Sequence, residues 1–393
     1  MYRKDEIIEI IRNGENSFVE FKLEDAHNIR LAREIASFAN VSGGLLIIGV
    51  DDDKNIVGIS ENKLEERIMN ICYNIIEPPL IPLYYELTVN DKTIAVVEIE
   101  KGINKPYCVK NEGRKEYYIR FGSTNREATR EQLLRLFQTS GMLHYEINPV
   151  PAASFGDLDY DKLKDYFYNY RKINISDLEQ FELLNLLKNT DIMVEYGEQS
   201  AATLAGLLLF GKNPKKFYQG CGIKAIKING NKFTDPVIDH KFFERNIFEN
   251  IEDTMIFFKN NTRHGFEVTD LQRTDIVEYP ARAIRELIVN AVAHRDYTIS
   301  GSQISMIIYE DRIEIKSPGK IPNTLTIDKM KQGLSYHRNP VILQFLYDAR
   351  YVERLGRGIP MVIEEVRKNN QPEPIFKEDG DEFIVTIYKK AVV

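Results

Sequence analysis

Three short segments near the C-terminal end constrain the fold of this chain more than any others. Glu286-Leu-Ile-Val-Asn290 sets an acid and an amide one helical turn apart, Ser317-Pro-Gly319 puts a glycine turn after a hairpin, and Leu355-Gly356-Arg-Gly358 is a glycine loop opening a helix. Glu286 and Asn290 share one helix face, opposite an apolar stripe through Ile284, Leu287, Ile288 and Ala291. Pro280 suits the first turn of that helix. Ile304 to Tyr309 and Arg312 to Lys316 read as a hairpin around Glu310-Asp311, Pro360 to about Lys368 as a helix, and Phe383 to Tyr388 as a closing strand. Helices and strands interleaved in this way predict an α/β unit from about residue 271 to 393.

These segments carry a common chemistry. A carboxylate at Glu286 activates water, and the amide oxygen of Asn290 suits Mg²⁺, which takes oxygen ligands. Gly319 lets backbone approach a nucleotide where a side chain would block it. Gly356 and Gly358 precede a helix start, whose free N–H groups and dipole favour a phosphate. The dipole contributes only about 0.3–1 kcal/mol per charge, so Mg²⁺ and basic groups, with Arg338 and Arg357 as candidates, must add most of the binding. The reading is an ATP site without a Walker loop. Gly206-Leu-Leu-Leu-Phe-Gly211-Lys212-Asn213 nearly has P-loop spacing, but it lacks the Ser or Thr for magnesium and its apolar interior belongs in a core element.

At the other end, Glu15-Asn-Ser-Phe-Val-Glu20-Phe-Lys22 is the second informative segment. If Val19 to Lys22 is a strand, Glu20 and Lys22 share one face. Glu-x-Lys on a strand is an arrangement many metal-dependent nucleases use. Asp51 ends the apolar run Leu45-Leu-Ile-Ile-Gly-Val50, and Glu15 sits in the preceding turn. Glu15, Glu20 and Asp51 around Mg²⁺ or Mn²⁺, with Lys22 on the attacking water or the phosphate, would make a phosphodiester-cleaving site. Surface charges flanking a core strand are the alternative. Helical periodicity covers Ile29 to Phe38, strands are expected at Tyr84 to Val89, Thr93 to Ile99 and Tyr117 to Phe121, and Thr129 to Gln132 is a capping box.

Length and composition set the remaining bounds. A chain of 393 residues holds two or three domains, and Pro149-Val-Pro151 suggests a boundary. We expect units at 1–145, 146–270 and 271–393. In the middle one, Lys224 to Asn229 reads as a strand, Phe242 to Phe258 as a helix and Ser176 to Glu179 as a capping box. No apolar run approaches the roughly 20 residues of a membrane helix, and charges stand where a signal peptide needs an apolar core. The three cysteines are far apart without a CxxC, as in a cytoplasmic protein with reduced thiols. The net charge of −7 does not itself favour nucleic acid. Locally, though, a basic stretch that includes Lys101, Lys105, Lys110, Arg114, Lys115, Arg120, Arg126, Arg130 and Arg135 is placed either to track phosphates or to form a solvated face.

Two resemblances join these observations. Arg285-Glu-Leu-Ile-Val-Asn-Ala-Val-Ala-His-Arg-Asp-Tyr297, Ile315-Lys-Ser-Pro-Gly-Lys-Ile-Pro322, His337-Arg-Asn-Pro340 and Val352-Glu-Arg-Leu-Gly-Arg-Gly-Ile-Pro360 resemble the divergent GHKL-type ATPase domain of RecG-related bacterial proteins. The resemblance implies that Glu286 and Asn290 form the N-box, with Glu286 as the ATPase base, and that Gly319, Gly356 and Gly358 form the glycine boxes. Ser317-Pro318 stands where standard members place the Asp that reads the adenine amino group. Glu15 to Lys22, Ala36-Ser-Phe-Ala-Asn-Val-Ser-Gly-Gly-Leu-Leu-Ile-Ile-Gly-Val-Asp-Asp52 and Tyr118-Ile-Arg-Phe-Gly-Ser123 resemble the Schlafen AlbA_2 domain. That resemblance implies acid positions at Glu15, Glu20 and Asp51, and a phosphate-contacting surface at Arg120 and its basic neighbours Lys110, Arg114, Lys115 and Arg126.

Together they imply an α/β (α+β) chain: an AlbA_2-like domain, a mixed connector and a GHKL-like sandwich. They imply ATP with Mg²⁺ as cofactor, DNA or RNA as partner, and a homodimer or higher homo-oligomer. ATP is expected to order the loop from Gly333 to Gly358 and so gate the N-terminal site. The activities in view are nucleic-acid binding with latent metal-dependent nuclease capacity, a transcriptional regulator that does not cut, and an RNase effector in defence or stress. Absent Walker motifs argue against a helicase.

Overall fold

The structure, a computed structural model, describes residues 2–60, 62–140, 144–269, 272–322, 325–353 and 356–390. Arg354 and Leu355 of the second glycine segment lie outside them. The chain divides into two compact units at Leu143/His144. The first boundary thus falls within two residues of the expected 145, whereas the expected boundary near 270 separates no compact units.

In the first unit, α1 (Lys4–Asn13), β1 (Val19–Lys22), α2 (Asn28–Asn40), β2 (Gly44–Ile48) and α3 (Leu64–Asn70) precede β3 (Ile76–Glu77), β4 (Leu83–Val89) and β5 (Lys92–Ile99). Then come β6 (Cys108–Asn111), β7 (Arg114–Phe121), β8 (Thr124–Glu127) and α4 (Arg130–Thr139). One sheet runs β1-β2-β5-β4 and the other β3-β6-β7-β8. Strand alternation divides the core. Val19, Phe21, Leu45 and Ile47 pack with Ile7 and Ile11 of α1, whereas Leu46 and Ile48 pack with Leu31, Ile35 and Phe38 of α2. The second sheet is tied to α2 by Asn40, whose amide donates to the carbonyls of Tyr107 and Tyr118 and accepts from the Tyr107 N–H, each at 2.8 Å. The expected capping box at α4 is present: Gln132 N donates to Thr129 Oγ1 (3.3 Å) and Thr129 N to Gln132 Oε1 (2.9 Å).

The second unit contains α5 (Tyr160–Tyr166), α6 (Gln180–Asn189), β9 (Met193–Tyr196), β10 (Gln199–Ala202), α7 (Leu204–Phe210), β11 (Ile223–Ile228), β12 (Val237–Phe243) and α8 (Ile247–Asn260). It continues through β13 (His264–Thr269), β14 (Gln272–Val277), α9 (Ala281–Ala293), β15 (Ile304–Ile308) and β16 (Arg312–Pro318). Last come α10 (Ile327–Lys331), α11 (Pro340–Asp348), α12 (Gly358–Lys368), β17 (Ile375–Asp379) and β18 (Glu382–Tyr388). Its main sheet runs β12-β11-β15-β16-β18-β17, so strands of the expected connector extend the sheet of the expected third domain. One apolar core spans both, from Ala153 to Ile387.

Three local expectations change. Phe242 and Phe243 end strand β12, and the helix begins only at Ile247, where the Asn246 side chain accepts from Glu249 N. The box at α6 is formed by Glu179 and Glu182 rather than by Ser176 and Glu179. Pro280 caps α9 from outside its first turn. The Gly206–Gly211 segment lies in the buried helix α7 and its C-cap, Gly211, with the backbone at Gly206 against the Ile192 carbonyl.

Glu146 is fully buried and caps α11 from far along the chain, accepting from Val341 N (2.7 Å) and Ile342 N (3.1 Å). Burial pushes its carboxyl up to about 8. A carboxyl raised on folding holds a proton that the unfolded chain has lost, so its contribution is full in acid and is lost as pH rises toward 8. Thermal melts between pH 5 and 9 should therefore show a smaller loss of stability with pH in Glu146→Gln than in the natural chain. Glu146→Ala should cost about 1–3 kcal/mol for the stranded N–H groups.

Candidate functional site

Within the second unit, α9, β16, β18, α10, α11 and the start of α12 enclose a cavity of about 480 Å³. Glu286, Asn290, Ser317, Gly319, Gly356 and Gly358 all line it, so the three sequence segments meet at one place. The Asn290 amide nitrogen donates to Glu286 Oε1 at 3.2 Å, leaving the amide oxygen for the cavity. Burial raises the Glu286 carboxyl above its ordinary range, with the Asn290 bond opposing. A side chain at Gly358 would strike the Glu286 carboxylate, so the first residue of α12 abuts the acid. Gly319 has φ +111°, and a Cβ there would collide with Asp296 and the Arg338 guanidinium. Gly333 and Gly356, at φ +89° and +64°, lie back to back, each blocking a Cβ on the other through its carbonyl.

Much of the remaining wall is apolar, with Leu325, Met330, Leu343, Val352, Phe383 and Val385. Ser317 Oγ donates to the Ala291 carbonyl at 2.9 Å. His294 and His337 stack at 6.5 Å between ring centres, and burial drives the His294 imidazole down to about 4.

Neither candidate arginine lines the cavity. Arg338 is buried and donates to the carbonyls of His294 (3.0 Å) and Lys320 (2.6 Å), outside the cavity wall. Its neighbour Asn339 donates to Ala293 O (3.0 Å) and Arg295 O (2.8 Å). The His337–Pro340 segment thus satisfies the C-terminal carbonyls of α9, a structural need of any helix end. Arg357 is exposed at the N-cap of α12 and does not line the cavity. The expected loop from Gly333 to Gly358 contains the nine-residue helix α11.

The N-terminal acids are not brought together. Glu20 is buried and paired twice, to Lys22 Nζ and to Arg120 Nη2 (2.7 Å). Glu34 completes a closed ionic cluster, 3.0 Å from Arg120 Nη1 and 4.0 Å from Lys22 Nζ. Desolvation and the Glu20 charge raise the Glu34 carboxyl, against Asn125, Lys22 and Arg120. Arg120 also donates to the carbonyls of Asn16 (2.9 Å) and Val19 (3.1 Å) and lies over the Phe38 ring. Glu15 instead accepts from Phe21 N (2.8 Å). Asp51 closes its own turn by accepting from Asn55 N (2.7 Å) and Nδ2 (3.0 Å), contacts that lower its carboxyl. Among the described residues no group of three or more His, Cys, Asp or Glu is placed to hold a metal. The expected Mg²⁺ or Mn²⁺ at Glu15, Glu20 and Asp51 therefore does not fit this arrangement. Glu34 had a sequence signal, because it falls within the apolar spacing Leu31, Ile35, Phe38 of α2.

The basic stretch divides in the same way. Arg120 is buried, and Lys105 is buried with its ammonium on the Val41 carbonyl (2.9 Å), driven by burial down to about 7. Neither faces solvent. Lys110 pairs across strands with Lys115, Cys108 with Tyr117, Ile119 with Arg126 and Phe121 with Thr124, and cross-strand partners share a face. One face of the second sheet therefore presents Lys110, Lys115, Tyr117 and Phe121, with Arg126 reaching over the Phe121 ring. Phe121 is 61% exposed with the Arg126 guanidinium 5.0 Å from its ring centre, and Glu77 holds Lys115 at 2.5 Å. Arg114 is exposed at the β6–β7 turn. Sequence reading missed Tyr117 and Phe121, although their alternation with Lys115 was visible.

Comparison with known proteins gives two family matches. Residues 15–129 match the family described as Schlafen, AlbA_2. Residues 301–387 match the family described as Putative ATP-dependent DNA helicase recG C-terminal, HATPase_c_4. The second match leaves out α9, which carries Glu286 and Asn290. No curated protein matches the chain. Among solved structures, the DIP2311 protein from Corynebacterium diphtheriae is 19% identical, with 95% of this chain and 76% of that chain covered and a TM-score of 0.49. The N-terminal domain of a putative ATP-dependent DNA helicase RecG-related protein from Nitrosomonas europaea is 22% identical over 33% of this chain and 95% of that chain, with a TM-score of 0.27. Among the described residues no helix is long and apolar enough to cross a membrane. The chain therefore carries a Schlafen AlbA_2 domain at residues 15–129 followed by an HATPase_c_4 domain at residues 301–387.

Proposed function

We propose that this protein binds ATP with Mg²⁺ in the C-terminal cavity and binds nucleic acid through the exposed face of the N-terminal domain, without cutting it. The observation that carries this reading is the convergence of Glu286, Asn290 and three glycines on one 480 Å³ cavity. Asn290 Oδ1 is a suitable Mg²⁺ ligand, and the ion would screen the phosphate charge. Glu286, half-buried and raised by burial, would orient a water and take its proton. The apolar wall suits a purine. Ser317 Oγ, its proton committed to Ala291, is left as an acceptor for a base amino group in place of the family's Asp.

Lys110, Arg126 and the aromatic pair Tyr117 and Phe121 combine phosphate contacts with stacking surface, as in recognition of unpaired bases. The closed pairing of Glu20 supports binding over cleavage, because a metal would have to displace both Lys22 and Arg120. The reading is tested with labelled tRNA, single-stranded RNA and duplex DNA, with Mg²⁺ or Mn²⁺ and with or without ATP. Binding that survives Glu20→Ala without cleavage is expected. Lys110→Ala and Arg126→Ala should each reduce the log–log salt slope by about 0.7–0.9 for every phosphate left without its cation. Phe121→Ala should cost about 1–3 kcal/mol on single strands. Cleavage abolished by Glu20→Ala or Asp51→Ala would instead make the protein a Schlafen-like nuclease.

A further inference from the structure

The main sheet of the second unit has two edges, and they differ in kind. β17 ends in Lys377, Glu378 and Asp379, with Lys377 and Asp379 paired at 2.9 Å. Charges of this kind protect an edge from adding another strand. The opposite edge, β12, has the sequence Val237-Ile-Asp-His-Lys-Phe-Phe243 and exposes Val237, Ile238 and Phe242 at 53%, 61% and 51%. Its only strand partner among the described residues is β11, so its outer row of N–H and C=O groups is left for another strand.

We propose that the partner is β12 of a second copy of this chain, added antiparallel about a two-fold axis at His240. The sequence selects that register. With His240 opposite itself, Asp239 faces Lys241 of the other copy on both sides of the axis. An axis at Asp239 would oppose two aspartates. An axis at Lys241 would oppose two lysines and put Asp239 on Phe243. Like charges directly opposite are unfavourable and opposite charges favourable, so of these three registers only the His240 axis avoids a clash of charge.

The face supports the same register. His240 and Phe242 share the side of the sheet on which they pair with Ile226 and Lys224, while a bulge at Lys227/Ile228, where Val237 meets Ile228, leaves Ile238 without a partner in the ladder. Ile226 there belongs to a small apolar cluster with Ile228, Ile307 and Tyr309. Joining two copies would run this side, with His240 and Phe242 beside the Ile226 cluster, across the axis. The result is a self-complementary interface of the kind a two-fold dimer requires. This inference names an interface for the expected homodimer and is independent of what either domain binds.

The test uses the full chain. Sedimentation or light scattering should give a dimer. Asp239→Lys and Lys241→Asp should each raise its dissociation constant about 10-fold or more, and the double variant should restore it. Asp239 also accepts from Asn261 Nδ2 (3.1 Å), so restoration by the double variant, with unchanged circular dichroism, separates pairing from folding. A positive arm uses His240→Cys. Residues opposite each other in an antiparallel ladder have Cα atoms about 4.5–5.5 Å apart, within disulfide range. The natural thiols Cys72, Cys108 and Cys221 are buried. Mild oxidation should therefore give a covalent dimer with His240→Cys and none with Lys377→Cys on the other edge. A monomer across the concentration range, or a dimer indifferent to both charge swaps that fails to cross-link at position 240, overturns the proposal.

Discussion

Arg120→Ala is expected to destabilise the N-terminal unit by about 3–5 kcal/mol, the cost of removing one partner from a buried ion pair. Arg120 satisfies Glu20 and Glu34 at once, through Nη2 at 2.7 Å and Nη1 at 3.0 Å, and its side chain is only 2% exposed. Without it, two buried carboxylates face each other with Lys22 alone between them, and the carbonyls of Asn16 and Val19 lose their donor. Arg120→Lys should recover only part of the stability, because a single ammonium cannot span the fork. Chemical denaturation of the variants reads this directly. An Arg120→Ala protein as stable as the natural chain but deficient in nucleic-acid binding would restore Arg120 to the phosphate surface.

Asn290→Ala is expected to reduce Mg-ATP affinity by at least about 10–100-fold, the range for losing even an outer-sphere partner of a metal. It removes both the oxygen offered to the metal and the hydrogen bond that counters the raised Glu286 carboxyl. Glu286→Gln should behave differently. It keeps the shape of the cavity and removes the proposed base, so binding should persist while any hydrolysis stops. Calorimetric titration with Mg-ATP, paired with a phosphate-release assay, separates the two. Undiminished affinity in Asn290→Ala would mean that Asn290 does not hold the metal.

The sequence by itself determined what depends on local spacing. Glu286 and Asn290 share a helix face because about 3.6 residues make a turn, and Gly319 and Gly356 mark backbone that side chains cannot occupy. Val19–Lys22 is a strand with Glu20 and Lys22 on one side, and the apolar Gly206–Gly211 segment lies in a core helix and its C-cap. What only the tertiary structure decided is where charges come to rest. Glu20 and Arg120 are a hundred residues apart, and nothing in either neighbourhood says that the acid meets a guanidinium before it meets a metal. Arg338 looked like a phosphate ligand, yet it answers the unsatisfied carbonyls at the end of α9. The middle of the chain looked like a connector because β11 and β12 carry their own alternation, but a strand does not announce its neighbours. Pairing with β15 places β11 inside the main sheet and leaves β12 at its edge. Short-range periodicity follows from backbone geometry and is written in the sequence. Long-range ion pairing and strand order follow from which surfaces exclude water together, and that is settled only when the chain has folded.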